Sequence, residues 1–326
     1  MRTAFILILF FCSKASAQGV ELFLSKVTIT ESVPADLLSV KCAVLYAPLL
    51  SQKELENLQK YFQQTGIDAV AYYENDLMIA GKDVSTAFAN AFVAREIKYF
   101  IFFDKKGSEY SILATAFNGK STFIDIGQPA WSVRNTSIAS LGSYVYGTAQ
   151  SSQKRGNFLV TDFVERGDIP VVIKGRRSEF FAIDLQVDKL AVPKFGNEAM
   201  DADLEAYFKT NFPFQYQIVE ANTEDKDMRK QGMSYKLCFI QVRGKAGKQI
   251  LGYDMTKAES ALASATYPNG QLQLKTIPSQ TPVYKFYFRH IDTGNVYLGT
   301  KWDGDIRWLD ALDNQVRGLK TELKIN

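Results

Sequence analysis

Two stretches of this chain repeat one order of segments, and such a repeat restricts the available folds more than composition does. The carboxyl ends of the stretches agree best. Trp131, Ile138, Leu141, Val145 and Gly147 recur as Trp302, Leu309, Leu312, Val316 and Gly318, each 171 positions later. In both sets the three aliphatic residues stand at i, i+3 and i+7, one stripe of a helix. The pattern predicts a unit closed by an amphipathic helix after a tryptophan.

The front of the first unit reads as strand, helix, strand. Lys41 to Tyr46 is β-branched and aromatic, as a buried strand requires. Ser51 with Glu54 three residues on makes a capping box, and Leu55, Leu58, Tyr61 and Phe62 share one helical face. Gly66 ends that helix, and an extended pattern resumes at Asp68. The second unit opens at Lys189 with Leu190-Ala191-Val192-Pro193-Lys194-Phe195, followed by a helix through Leu204, Tyr207 and Phe208 and a strand from Gln215 to Val219. Hairpins are expected at 99–103 with 110–117 and at 235–242 with 249–255. Turns at Asn118-Gly119 and Asp292-Thr293-Gly294 lead into strands at 122–126 and 296–298. The front registers differ (148, then 146), so insertions separate the matches, and 257–282 reads as one.

These signals predict an α/β (α+β) protein of two related domains, each a mixed sheet with helices packed on one face. A chain of 326 residues also exceeds what one core usually holds. The expected organisation is a signal peptide at 1–17, an arm or strand at 18–39, copy 1 at 40–149, connecting strands at 150–186 (158–163 and 171–173) and copy 2 at 187–326.

The amino terminus has the three parts of a secretory signal. Arg2 is basic, residues 4–11 are apolar, and Ala15-Ser16-Ala17 supplies small residues for cleavage near Ala17. Eight apolar residues rise about 12 Å as a helix, short of a hydrocarbon core of about 30 Å. No later run reaches spanning length, so no transmembrane span is expected. Cleavage before Cys12 with lipidation is the alternative, though bulky Leu9-Phe10-Phe11 precede it. The expected location is periplasmic or extracellular. Losing Arg2 and Lys14 takes the net charge from +3 to +1, which gives no general attraction to nucleic acid. Lys154-Arg155 and Lys174-Gly175-Arg176-Arg177 read as solvated turns.

Few residues carry a recognisable chemistry. Cys42 and Cys238, the two mature cysteines, lie in apolar strand patterns and read as core thiols, with a single bridge between the halves as the alternative. His290 is the one histidine; without a Gly-x-Ser-x-Gly elbow it reads as a half-exposed strand residue. Asp303, Asp305, Asp310 and Asp313 surround Trp302 and Trp308 but lack the alternating ligands and closing Glu of a calcium loop. They read instead as a helix cap (Asp303 or Asp305) and a wet helical face (Asp310 and Asp313). Gly-Lys at 81–82, 119–120 and 247–248 lacks the glycine spacing of a phosphate loop. Asn135-Thr136-Ser137 is a glycosylation sequon. Tyr284, Phe286 and Phe288 alternate as a strand face packed in a core would, or as an exposed face for glycan or protein. No catalytic, cofactor-binding or metal-binding residue is assigned, and no cofactor is expected.

The order from Leu190 to Phe195, through helix and Tyr216-Gln217-Ile218-Val219, to a long strand entering Asp292-Thr293-Gly294 resembles a known extracytoplasmic module. It is similar to the amino-terminal domain of the Tol-system periplasmic propeller protein and to curli-secretion lipoproteins, over about 188–320 and more faintly 40–150. No propeller repeats and no credible lipobox accompany it. The resemblance implies an envelope protein acting by protein–protein contact, without catalysis, and transfers no site residue. The expectation is therefore a non-enzymatic binding or assembly protein whose partner is another envelope or secreted protein. The alternatives are a carboxylate-based hydrolase of an envelope glycan, needing two carboxylates about 5–9.5 Å apart, and a ligand-binding protein with an apolar inter-domain pocket.

Overall fold

The computed structural model describes residues 25–152, 154–162, 169–256 and 260–325. The expected signal peptide and the start of the arm lie outside them.

The chain forms two mixed sheets of the same topology. The first contains β1 (Val27–Thr30), β2 (Lys41–Tyr46), β3 (Asp68–Glu74), β4 (Ile97–Lys106), β5 (Glu109–Ala116) and β6 (Gln128–Asn135). Its helices are α1 (Gln52–Thr65), α2 (Lys82–Ala94) and α3 (Ile138–Ser152). The second contains β7 (Arg177–Ser178), β8 (Lys189–Pro193), β9 (Tyr216–Val219), β10 (Met233–Arg243), β13 (Pro282–His290) and β14 (Val296–Tyr297). Its helices are α4 (Glu198–Asn211), α5 (Asp225–Lys230), α6 (Gly244–Ile250) and α7 (Trp308–Glu322), and β11 (Ala261–Thr266) pairs with β12 (Gln273–Pro278) as a separate ribbon.

The strand orders are β1-β6-β5-β4-β2-β3 and β7-β14-β13-β10-β8-β9. Matched pairs also agree in direction: β2–β4 and β8–β10 are parallel, β4–β5 and β10–β13 antiparallel, β1–β6 and β7–β14 parallel. Two sheets sharing six positions and every direction are related copies.

Local chemistry explains the elements. Ser51 and Glu54 form the reciprocal capping box at α1, and Gly66 closes that helix in the left-handed region. Along β2 the side chains alternate: Cys42, Val44 and Tyr46 meet Leu55, Leu58 and Phe62 of α1 and Leu141 and Val145 of α3. Leu190 and Val192 of β8 likewise meet Leu204 and Phe208 of α4 and Leu312, Val316 and Leu319 of α7. Each sheet thus carries its paired helices on an outer face. The inner faces, with α2, α6 and the ribbon, contribute to one shared apolar cluster that includes Leu45, Phe88, Phe100, Ile240, Val283 and Trp302.

Several sequence expectations need correction. Trp131 lies within β6 among the outer-face residues, whereas Trp302 lies after β14 in the shared inner cluster. The tryptophans are not equivalents. Trp131 pairs with Ala114 on β5, and in the second sheet the matching position, opposite Phe288, is Tyr297. The helical stripes of α3 and α7 do occupy the same place, so the constant offset survives in the helices and is fortuitous at the tryptophans. Residues 122–126 are irregular, and the strand begins at Gln128. The second long hairpin is β10 with β13, because residues 244–250 turn helical and the insertion starts there. Residues 171–173, and 158–162 of the other connecting strand, form no strand; 163–168 lie outside the described residues.

Candidate functional site

The inner faces of the two sheets differ in chemistry. In copy 1, Ala43 of β2 pairs with Phe100 of β4, which pairs with Thr115 of β5. In copy 2, the corresponding Ala191 pairs with Lys236 of β10, which pairs with Arg289 of β13. Two residues along, Phe102 and Leu113 correspond to Cys238 and Tyr287 by the same register. An apolar floor in one copy is therefore polar in the other.

The covering helix changes as well. The 13-residue α2 lays Val84, Phe88 and Phe92 over the copy 1 floor, and the Phe92 and Phe100 rings meet edge to face at 5.1 Å. Its counterpart α5 has six residues and buries one, Met228. The uncovered floor of copy 2 is met instead by the copy 1 loop leading into α2. Gln241 N–H donates to Ala80 O at 2.7 Å, and a Cβ on Gly81 would stand 2.6 Å from Phe239 O, so only glycine permits this approach.

The result is a cleft between the copies. A cavity of about 410 Å³ is lined by Lys82, Asp83, Thr86, Lys174, Asp225, Lys236 and Arg289, among others. A second of about 210 Å³ shares Lys82, Asp83 and Lys236 and is walled by Phe195, Phe239, Cys238 and Tyr287.

The cleft is electrostatically ordered. Arg289 Nη2 donates to Asp225 Oδ2 at 2.8 Å, and its Nε lies 3.3 Å from Asp83 Oδ2. Lys236 Nζ donates to Asp225 Oδ1 at 3.2 Å. Burial pushes the Asp225 carboxyl up, but the charges of Lys236 and Arg289 outweigh it and hold the group below its usual range. Lys82 donates to the backbone oxygen of Ala221 at 3.1 Å and forms no ion pair among the described residues. Burial, then repulsion from Lys236, lowers its pKa. Lys174, on the cavity rim, likewise has no ion pair among the described residues.

Of the residues singled out from sequence, Lys82, Lys174, Pro193, Lys194, Phe195, Cys238 and Gly294 line the cleft cavities; the candidates for chemistry among the others lie elsewhere. Cys42 and Cys238 are both buried free thiols, in the outer core of the first sheet and the inner core of the second, so no bridge joins them. His290 accepts from Thr293 N–H at 3.4 Å and packs edge-on against Tyr235 at 5.0 Å. Phe286 and Phe288 are core residues against α7, which settles the aromatic stripe as packing.

The aspartates behave differently from the expectation. Arg307 occupies the N-cap of α7, and neither Asp303 nor Asp305 caps it. Asp303 is buried 2.6 Å from the fully buried Lys285 ammonium, and burial raises its pKa to about 6 against the pull of that lysine. Asp305 accepts from Lys275 at 2.7 Å. Asp310 lies near Arg307 and Asp313 accepts from Tyr207 and Arg317, on the half-exposed side of the helix. In the basic turns, Arg177 lies over the Tyr253 ring at 4.6 Å and donates to Leu251 O, while Arg155 Nε donates to Asn157 O.

Asp83, Asp225, Lys236 and Arg289 escaped the sequence reading, and Lys82 was weighed only as part of a phosphate loop, because the site is assembled from separate stretches of the chain. Lys236 and Arg289 stand where copy 1 has Phe100 and Thr115, a signal that shows only once the strand register is known. Among the described residues no cluster of His, Cys, Asp or Glu could hold a metal ion, and no helix is long and apolar enough to cross a membrane. The chain matches no family model and no curated protein.

Proposed function

We propose that this chain is an exported, non-enzymatic protein that captures another envelope or secreted protein in the cleft between its two copies. One observation carries the reading. Duplication supplied two equivalent sheet faces; one is sealed by α2, and the other is left partly uncovered and furnished with charge. A uniform core would need no such divergence, since buried cations are costly unless something requires them.

The same geometry speaks against the hydrolase alternative. Each of the three cleft carboxylates has a cationic partner, Asp83 and Asp225 on Arg289 and Glu224 on Lys226, and the charges of Lys236 and Arg289 hold Asp225 below its usual range. A glycosidase needs one carboxyl that retains a proton. The apolar-ligand alternative is weakened by the mixture of lysines, arginine and aspartates lining the larger cavity. Export rests on the signal-like residues 1–17, and the resemblance to envelope modules adds only an analogy.

The test is capture from an envelope extract by the mature chain carrying Lys82→Met and Lys174→Met. Among the described residues neither lysine forms an ion pair, and the nearby Asp83 and Asp225 keep Arg289 and Lys236 as partners. Loss of the captured partner with unchanged thermal stability supports the reading; undiminished capture contradicts it.

A further inference from the structure

The two cleft cavities have complementary characters and a common wall. The larger is bordered by five cations, Lys82, Lys174, Lys226, Lys236 and Arg289, against three carboxylates, Asp83, Glu224 and Asp225. Those carboxylates are taken: Glu224 by Lys226, Asp225 by Lys236 and Arg289, Asp83 by Arg289 and the Tyr287 hydroxyl. The surplus positive charge sits at Lys82 and Lys174. The smaller cavity, about 210 Å³, presents Pro193, Phe195, Ala221, Phe239 and the ring of Tyr287, whose hydroxyl is turned to Asp83. That is room for one large side chain rather than a folded surface. Lys82 borders both spaces and is held in place by the Ala221 carbonyl.

We infer that the cleft takes a carboxylate directly followed or preceded by a large apolar side chain, the carboxylate on Lys82 and the side chain in the smaller cavity, against the wall that Phe195, Phe239 and the Tyr287 ring form together. This rests on the capture reading above and names its chemistry. The surplus cations fit a negative group, and a carboxylate seated on the Lys82 ammonium makes a charge-assisted contact that a neutral group does not. The apolar wall then supplies contact area that an isolated anion would not use. A polypeptide offers this pair either as a free carboxyl terminus ending in an apolar residue or as an internal Asp or Glu beside one.

Fluorescence anisotropy with the full mature chain tests this, using labelled tetrapeptides as probes. The first, Gly-Gly-Ser-Phe, carries a free carboxyl terminus, and its terminal amide is the neutral partner. The second, Gly-Asp-Phe-Gly amide, carries an internal carboxylate and is compared with Gly-Asn-Phe-Gly amide. At least one acidic probe is expected to bind about tenfold tighter than its neutral partner, as a lost charge-assisted contact implies. Whichever acidic arm binds identifies the source. Replacing the probe's phenylalanine by alanine is expected to abolish binding, and Lys82→Met to weaken it about tenfold, whereas Lys41→Met, remote from the cleft, leaves it unchanged. Equal affinity for acidic and neutral probes, no effect of Lys82→Met, or no binding by either acidic probe overturns the inference. If those failures occur while Lys82→Met and Lys174→Met still abolish capture from extract, the cleft reading stands and only its chemistry falls.

Discussion

Replacing Arg243 with methionine should loosen the junction between the copies, by an amount that can be worked from its contacts. Arg243 ends β10 and is buried, 8% exposed. Its Nε donates to Asp76 Oδ2 at 2.6 Å and its Nη2 to Asp76 Oδ1 at 3.1 Å; Nη2 also meets Glu74, and Nη1 donates to Gln280 at 2.9 Å. Both carboxylates belong to copy 1, so this one guanidinium joins the sheets. Methionine keeps most of the stem volume but strands two negative charges. Breaking a buried pair from one side costs about 3–5 kcal/mol. Asp76, 9% exposed, should bear most of that, while the Glu74 side chain, 28% exposed, keeps part of its hydration. The expected loss is therefore near the lower end, about 3 kcal/mol. Adding Asp76→Asn removes the stranded charge and should restore about 2 kcal/mol. Urea unfolding at neutral pH, followed by tryptophan fluorescence, measures both. A loss below about 1 kcal/mol, or no recovery in the double variant, would show that this contact behaves as an ordinary surface pair.

Other consequences can be tested alongside it. Burial pushes Glu54 up, but hydrogen bonds from Lys105, Ser51 and Tyr110 outweigh it and bring its pKa down to about 2. A carboxyl depressed on folding contributes stability above its unfolded pKa, so about 1–2 kcal/mol, after allowing for solvent screening at this half-buried position, is present at neutral pH and lost as pH falls from about 4.5 to 2. Glu54→Gln should flatten the stability profile across that window; an unchanged profile contradicts the assignment. Lys285→Met should cost about 3 kcal/mol or more by stranding buried Asp303, and adding Asp303→Asn should recover most of it. Strictly additive losses in thermal unfolding would show that the two do not act as a pair. Burial raises the thiol of Cys238 to about 12 and lifts that of Cys42 further, so neither should react with a maleimide at pH 8 until the protein is unfolded. Rapid labelling of the native protein would place a thiol at the surface.

The fold was largely readable because its determinants are local. The Ser51–Glu54 box, the helical stripes of α1, α3, α4 and α7, and the hydrophobic strands β2 and β8 depend on neighbours within a few residues. Strand order is different. Nothing near Gln249 shows that residues 244–250 leave the sheet and that β10 finds its partner beyond a ribbon, because that choice is made by contacts about 40 residues apart. The tryptophan match failed for a related reason: residue type at a fixed offset does not record which sheet face a side chain enters. The cleft was illegible in any single segment. Lys82, Asp225, Lys236 and Arg289 each read as ordinary charged residues, and they become a site only when α5 proves too short to cover the floor beneath them. Comparing paired positions in the two copies (Phe100 with Lys236, Thr115 with Arg289) would have exposed the anomaly. That comparison needed the strand register.

Hydrogen–deuterium exchange on the complex recovered from an envelope extract tests most directly where this protein works. With the partner bound, amides of residues 82–87 and 221–239 should slow relative to the free chain, while those of α1, α3, α4 and α7 stay unchanged. Protection confined to those outer helices, with the cleft exchanging as freely as before, would contradict the account.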